Sequence, residues 1–276
     1  MLDQPPSYPR KESQMFSLAG RKAVVTGGGG HLGSILCQGL AAAGAAVHLL
    51  GRNAEKLAAT AQKIANQGQK ATYEVLDLRN VDEIGTFATR FTEREGSLDI
   101  LINNAYGGPT NTLDKATAEQ YRDAYEIAVV SAAELVKWLL PAMKSAAATH
   151  GDASVINIAS MYGHVSPDPR IYGDSGQNSP PYYGAAKGAL IQYTRYAACH
   201  LASCGVRVNA VSPGPFPPIG FREAKPEFYQ QLINKVPMQR IGLPEDLIGP
   251  VVFLASQSAR YVTGINLPVD GGWTAW

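Results

Sequence analysis

Short apolar runs alternate with helical patterns along nearly the whole chain, and this alternation restricts the fold more than any other feature. KAVVT (22–26), AAVHLL (45–50), ATYEVL (71–76), LDILINNA (98–105), SVINIAS (154–160), VRVNAV (206–211) and INLPV (265–269) read as strands. Between them lie segments with helical periodicity: one from His31, one from Asn53 closed by Gly68, one beginning near Asn80, one long pattern over 117–148, one over 182–205 ended by Gly205, and one over 245–256. Pro141 sits inside the long pattern and predicts a kink there. Strands apolar enough to be covered on both faces, each followed by a helix, predict an α/β chain with a doubly wound parallel sheet of about seven strands. One domain is expected over 16–276, after a polar, proline-rich tail at 1–15.

Composition removes several functional classes. With 45% hydrophobic residues, the chain has material for a large core, and disorder is excluded for most of it. The 24 Lys and Arg nearly balance the 23 Asp and Glu, so there is no basic footprint for nucleic acid. Apolar stretches such as 41–50 and 132–143 are too short or too interrupted to cross a bilayer, which takes roughly 20 residues. Cys37, Cys199 and Cys204 form no CxxC pair and no zinc-ligand spacing, so neither a disulfide framework nor a metal site is expected. A cytoplasmic protein follows as the expectation.

Glycine supplies the first chemical signal. Gly27, Gly28, Gly29, Gly30 and Gly33 fall between the first strand and the first helix. Backbone must approach a pyrophosphate closely at such a junction, and the helix N-terminus offers free N–H groups and the positive end of its dipole. In a sheet of the Rossmann type this position predicts dinucleotide binding, against the bland reading of a turn with no ligand. An acidic residue about 20 positions past the glycines would bind the ribose 2′-OH of NAD, whereas an arginine there accepts a 2′-phosphate. This chain has Gly51-Arg52-Asn53 and no carboxylate before Glu55. NADP(H) is therefore preferred, with Arg52 as the 2′-phosphate partner, and NAD(H) is not excluded.

A second signal lies on the helix after the fifth strand. Tyr183 and Lys187 are four residues apart and share one helix face, so an ammonium can lower the pKa of the phenol beside it. Tyr183 then passes a proton to or from a substrate oxygen while hydride moves. Tyr182 is an adjacent rival, but its five-residue spacing from Lys187 faces it away. Ser160 ends the fifth strand, where open α/β sheets bind their ligands.

Taken in order, Thr26-Gly27 with Leu32-Gly33, Asn103-Asn104-Ala105, Tyr183 with Lys187, and Pro213-Gly214 resemble the signature set of the short-chain dehydrogenase/reductase family, from about Leu18 to the C-terminus. The resemblance implies Ser160, Tyr183 and Lys187 as catalytic residues. It implies a cofactor site made by Gly27, Gly29, Gly30, His31, Leu32, Gly33, Asp77, Leu78, Asn104, Ala105, Tyr183, Lys187, Pro213, Gly214 and Phe216, with Asn209 also facing the nicotinamide. Assembly into dimers or tetramers is implied as well.

The chain departs from the family pattern at three points. His31 takes the place of the motif's second glycine, where a glycine-only backbone would be strained. Tyr106 follows Asn104-Ala105 where glycine is common, and Ala128 falls where relatives carry an asparagine that relays protons. A loop of about twenty residues after Ser160 is longer than usual. It carries His164, Asp168, Arg170, Tyr172, Asp174, Gln177 and Asn178. His164 and Arg170 are expected to meet substrate, and the sequence resembles gluconate or other sugar-acid oxidoreductases. The expected activity is hydride transfer between NADP(H) and a secondary alcohol or ketone of a sugar, polyol or sugar acid. Reduction of a less polar ketone or 3-oxo compound, under an apolar lid over 216–221, is the alternative, and a catalytically weak dinucleotide sensor is another.

Overall fold

The computed structural model describes residues 15–173, 178–218 and 220–276; the tail up to residue 14, and Asp174 and Gln177 of the long loop, lie outside the described residues. Seven strands, β1 (Lys22–Thr26), β2 (Ala46–Gly51), β3 (Ala71–Val75), β4 (Ile100–Asn103), β5 (Ala153–Ile158), β6 (Val206–Pro213) and β7 (Asn266–Val269), form one sheet. Their order is β3-β2-β1-β4-β5-β6-β7, and every pairing is parallel. The chain winds outward from β1 through β2 to β3, then crosses back to β4 on the other side of β1. Reversal of this kind opens a crevice at the carboxyl ends of β1 and β4.

Two helical layers cover the sheet because its five inner strands are apolar on both faces. The edge strands β3 and β7, expected to be covered too, have no neighbour on one side and are largely open. One layer holds α1 (His31–Ala42), α2 (Ala54–Asn66) and α9 (Ile248–Ala255); the other holds α3 (Val81–Glu95), α5 (Ser131–His150) and α6 (Pro181–Leu201). Strand alternation divides the side chains between them. Val24 packs with Phe87, Leu135 and Met143, while Ala23 and Val25 face Leu36, Leu40 and Val251. Helix starts follow the capping chemistry of the sequence: the Asn53 side chain accepts from the Lys56 N–H at 2.9 Å, and Asn80 accepts from the N–H groups of Asp82 and Glu83.

The long pattern over 117–148 is not one regular helix. It comprises α4 (Ala118–Tyr125), a π-helical turn at Glu126–Val130, and α5. Pro141 does not interrupt it, because α5 runs through that residue, which lies on the exposed face. The break in α geometry falls upstream instead, where the Ser131 hydroxyl donates to the Ile127 carbonyl at 2.8 Å. Two short helices, α7 (Phe221–Ala224) and α8 (Pro226–Lys235), follow β6, of which the sequence pattern predicts the second over 226–234. No described helix is long and apolar enough to cross a membrane.

His48, in the middle of β2, is a buried polar group inside an aromatic cluster. Its ring stacks on Phe87 with centroids 5.7 Å apart and planes at 11°, and Nδ1 lies 2.7 Å from the Thr72 hydroxyl. Nε2 is buried with no partner among the described residues. Burial, reinforced by the Arg94 charge, pushes the imidazole pKa down to about 4. The unfolded chain, with a histidine pKa near ~6.5, therefore binds more protons in this window. The stabilising effect of keeping His48 neutral is complete above pH ~6.5 and is lost as pH falls towards 4. Between pH ~7.5 and ~5, urea unfolding of the protein should lose about 2 kcal/mol from this residue alone, and His48→Leu should lack that component. Equal pH slopes in the two proteins would show that His48 is not responsible.

Candidate active site

The turn after β1 is folded tightly against its own helix. Gly27 has φ +67°, and its carbonyl accepts from the Gly30 N–H at 2.9 Å. A Cβ on Gly33 would lie 2.1 Å from the Gly27 carbonyl oxygen, and one on Gly29 would come within 3.0 Å of the α2 backbone. Glycine at these points lets strand, turn and helix close together. Gly30 is the N-cap of α1 and provides no side-chain acceptor, nor is there an acidic residue in the first turn. The N-terminal N–H groups of α1 thus face the cleft without an anion of the protein's own, as a phosphate site requires. His31 is the first residue of α1, and Gln239 is the sole non-glycine with positive φ among the described residues. The strain anticipated at His31 is absent because that position needs only helical backbone.

Thr26 holds the other wall of the crevice. Its hydroxyl oxygen accepts from the backbone N–H groups of Asn104 at 2.9 Å and Ala105 at 3.0 Å, and the Asn104 side-chain amide donates to the Thr26 carbonyl at 3.0 Å. The result is a cleft of about 590 Å³. It brings together Gly27, Gly29, Gly30, His31, Leu32, Gly33, Arg52, Asp77, Leu78, Asn104, Ala105, Ser160, Tyr183, Lys187, Pro213, Gly214 and Phe216. Arg52 is exposed just past the end of β2, and its charge reaches Asp123, which is itself paired with Arg79. The Asp77 carboxylate accepts from the Arg79 N–H at 3.1 Å. A glycine cradle, a bare helix N-terminus and an exposed arginine at the opposite rim fit a phosphorylated dinucleotide laid along the carboxyl ends of the strands.

At the far end of the cleft stand Ser160, Tyr183 and Lys187. Ser160, at the end of β5, is buried, and its hydroxyl accepts from the Tyr162 N–H at 3.2 Å. Burial raises the Tyr183 phenol, and the Ser160 contact opposes that rise. Lys187 is only 3% exposed; its ammonium donates to the Ile158 carbonyl at 2.6 Å and lies 5.8 Å from the Tyr183 ring centre. Burial alone lowers the pKa of Lys187 to about 7. Tyr182 is turned into the protein, where its hydroxyl donates to the Pro109 carbonyl at 2.7 Å. Of the two tyrosines, Tyr183 lines the cleft and Tyr182 does not.

Other expectations are not met. Asn209 is wholly buried within β6, where its amide donates to the Val262 carbonyl at 2.9 Å and its oxygen accepts from the Ile265 N–H at 3.2 Å. It pins the approach to β7 and does not line the cleft. His164 is exposed and outside the cleft lining. Arg170 is turned away too: its guanidinium makes a two-point pair with Asp168 at 2.9 and 2.8 Å, and Lys235 of α8 shares that carboxylate at 2.9 Å. Among the loop's described residues, Met161 and Ile171 face inward, packed on Phe228, Leu232 and Trp273. Ala128 is buried in the π turn against Tyr182, Ala186 and Leu190, a wholly apolar setting for a polar relay but for the Tyr182 hydroxyl.

Sequence reasoning missed Arg79, Lys56, Ile127 and Ile158 in the cleft, and assigned no contact to Tyr106. Arg79 pairs with Asp123 of α4 at 2.6 and 2.9 Å; the sequence carried no sign of this, because the partners are 44 residues apart. Tyr106 was visible as a departure from the family pattern. Among the described residues no group of three or more His, Cys, Asp or Glu side chains is placed to hold a metal ion.

Comparison with known proteins agrees with this architecture. A family model described as Enoyl-(Acyl carrier protein) reductase matches residues 31–274. The chain is 32% identical over 260 residues to the rhamnolipids biosynthesis 3-oxoacyl-[acyl-carrier-protein] reductase of Pseudomonas aeruginosa, covering 94% of this chain and 98% of that protein. It is 31% identical over 267 residues to 2-dehydro-3-deoxy-D-gluconate 5-dehydrogenase of Escherichia coli, again covering 94% and 98%. A gluconate 5-dehydrogenase from Burkholderia cenocepacia, solved in complex with NADP and tartrate, superposes with a TM-score of 0.84 at 29% identity, over 95% of this chain and 98% of that one. A seven-stranded parallel sheet with its glycine turn at the β1–β4 crevice, together with matches that run nearly end to end, means that this chain belongs to the short-chain dehydrogenase/reductase family.

Proposed function

We propose that the protein transfers hydride between NADP(H) and a secondary alcohol or ketone, with Ser160, Tyr183 and Lys187 as its catalytic residues. The observation that carries this reading is the convergence of a buried lysine, a tyrosine and a serine hydroxyl at one end of a cleft whose other end is a bare helix N-terminus. When bound there, the nicotinamide supplies or takes the hydride. In the direction of reduction, the Ser160 hydroxyl donates to the substrate carbonyl and fixes its oxygen beside Tyr183. As the carbonyl carbon gains hydride, the Tyr183 O–H bond breaks and its proton goes to the carbonyl oxygen. The Lys187 ammonium stabilises the tyrosinate that remains. Oxidation of the alcohol runs the same steps backward.

NADP(H) is favoured over NAD(H) by the Arg52 guanidinium at the rim, with no carboxylate in the position that would bind a ribose 2′-OH. The relatives named for gluconate and deoxygluconate oxidoreduction support a sugar, polyol or sugar acid as substrate. A second reading, reduction of a less polar ketone or 3-oxo compound, is favoured by the aromatic packing of Tyr162, Tyr172, Phe221, Phe228 and Trp273 next to Ser160, and by the relative named as a 3-oxoacyl reductase.

Two variants and one panel test these assignments. Arg52→Ala should weaken NADPH binding about tenfold or more while leaving NADH nearly unchanged, the loss typical of a charged hydrogen-bonding partner. Equal affinity for NADPH before and after the change, read by fluorescence titration, would remove Arg52 from the cofactor assignment. Sugars, polyols, aldonates and simple or 3-oxo ketones, followed at the NADPH absorbance, should yield turnover with polyhydroxylated members; turnover confined to apolar ketones would select the second reading. On the best substrate, Tyr183→Phe should lower kcat about 10²–10⁴-fold, far more than any loss of NADPH affinity, because a positioned proton donor is worth that much. Full turnover in that variant would contradict the mechanism.

A further inference from the structure

Tyr106 follows Asn104-Ala105 at the carboxyl end of β4 and reaches across the cleft to the two groups assigned to proton transfer. Its ring meets that of Tyr183 edge-on, with centroids 4.8 Å apart and planes at 67°. Lys187 Nζ lies over the same ring, 5.2 Å from its centre. An ammonium carries three donors. At Lys187 one of them is taken by the Ile158 carbonyl, and two aromatic rings, Tyr106 and Tyr183, lie within cation–π distance.

We propose that Tyr106 is a positioning residue whose ring face holds the Lys187 ammonium in its charged form and fixes the plane of Tyr183. The inference rests on Tyr183 and Lys187 being the reacting pair. A cation this deeply buried with one carbonyl acceptor is strongly disfavoured, and an aromatic face recovers part of the lost hydration without offering a competing proton acceptor. The groups facing this cluster are few. Tyr183 lies on the same helix as Lys187, and Ser160 comes from the end of β5. Arg79, Asp123 and Tyr182 also act on Tyr106 electrostatically, and the first two are paired with each other. Burial, followed by the neighbouring Tyr183 and Tyr182, raises the Tyr106 phenol far above its ordinary value, so Tyr106 stays neutral and acts through its ring, not as a proton carrier.

A lysine titration that needs no substrate tests this. The full-length protein is labelled with ¹³Cε-lysine, and the Lys187 resonance is identified by its loss in Lys187→Met. In the parent its midpoint is expected near pH 7. Tyr106→Phe should keep that midpoint, since the ring face remains. Pentafluorophenylalanine at 106 has nearly the same shape and burial but an inverted ring quadrupole, and should lower the midpoint by about 0.4–1.5 pH units. Tyr106→Leu should move it in the same direction. A midpoint in the fluorinated protein equal to or above that of Tyr106→Phe would overturn the proposal, and the near-isosteric pair keeps the test valid if the leucine variant fails to fold. Failure of the catalytic reading is separately visible: turnover retained in Tyr183→Phe would sink it and leave the lysine titration untouched.

Discussion

The hydroxyl of Thr26 is the joint on which the site depends. It accepts two backbone N–H groups from the end of β4, while the Asn104 amide returns a hydrogen bond to the Thr26 carbonyl. These contacts lock the carboxyl ends of β1 and β4 together at the point where the sheet reverses its winding. The glycine turn can then fold flat on α1 on one side of the joint, and the segment bearing Tyr106 can cross towards α6 on the other. A Cβ on Gly27 would come within 2.9 Å of the Asn104 amide, so the glycine and the brace depend on each other. The same few hydrogen bonds thus fix the two walls of the cleft that β1 and β4 supply.

Opposed demands at the reacting end explain its composition. Lys187 is buried beside Tyr183, and burial works against the charge that the proposed mechanism uses. The protein meets this with the carbonyl of Ile158, which is released at the end of β5, and with aromatic surface in place of a carboxylate. A carboxylate partner would hold the ammonium more firmly but would also compete with the tyrosinate for it. The amino ends of the central strands show the contrasting solution: Arg21, Asp99, Asp152 and Arg207 form a buried ion-pair network with direct hydrogen bonds, where charge serves fixed structure.

Local patterns carried most of this fold into the sequence. All seven strands, the caps at Asn53 and Asn80, and the glycine turn are read from short windows, since strand alternation and helix capping act within a few residues. The Tyr183–Lys187 pair was legible because both lie on one helix. What escaped depends on contacts distant in sequence. The π turn at Glu126–Val130 leaves no mark on apolar periodicity, so 117–148 reads as one helix with a kink at Pro141. Arg170 and His164 look like ligand contacts by residue type, but Asp168 and Lys235 capture the first and solvent surrounds the second. Asn209 was expected to face the cofactor, yet it lies inside β6 and its amide ties down the chain before β7. Tyr106 is the reverse case, an evident departure from a family pattern whose consequence appears only when its ring is seen over Lys187.

Transfer of hydride at this cleft is the central claim, and isotope tracking reads it directly. The protein is incubated with NADPH deuterated at the nicotinamide C4 position and its best carbonyl substrate, and the alcohol is analysed by mass spectrometry. The account predicts one deuterium on the carbinol carbon, delivered from a single face of the nicotinamide. Alcohol formed without deuterium from either C4-labelled epimer would contradict it.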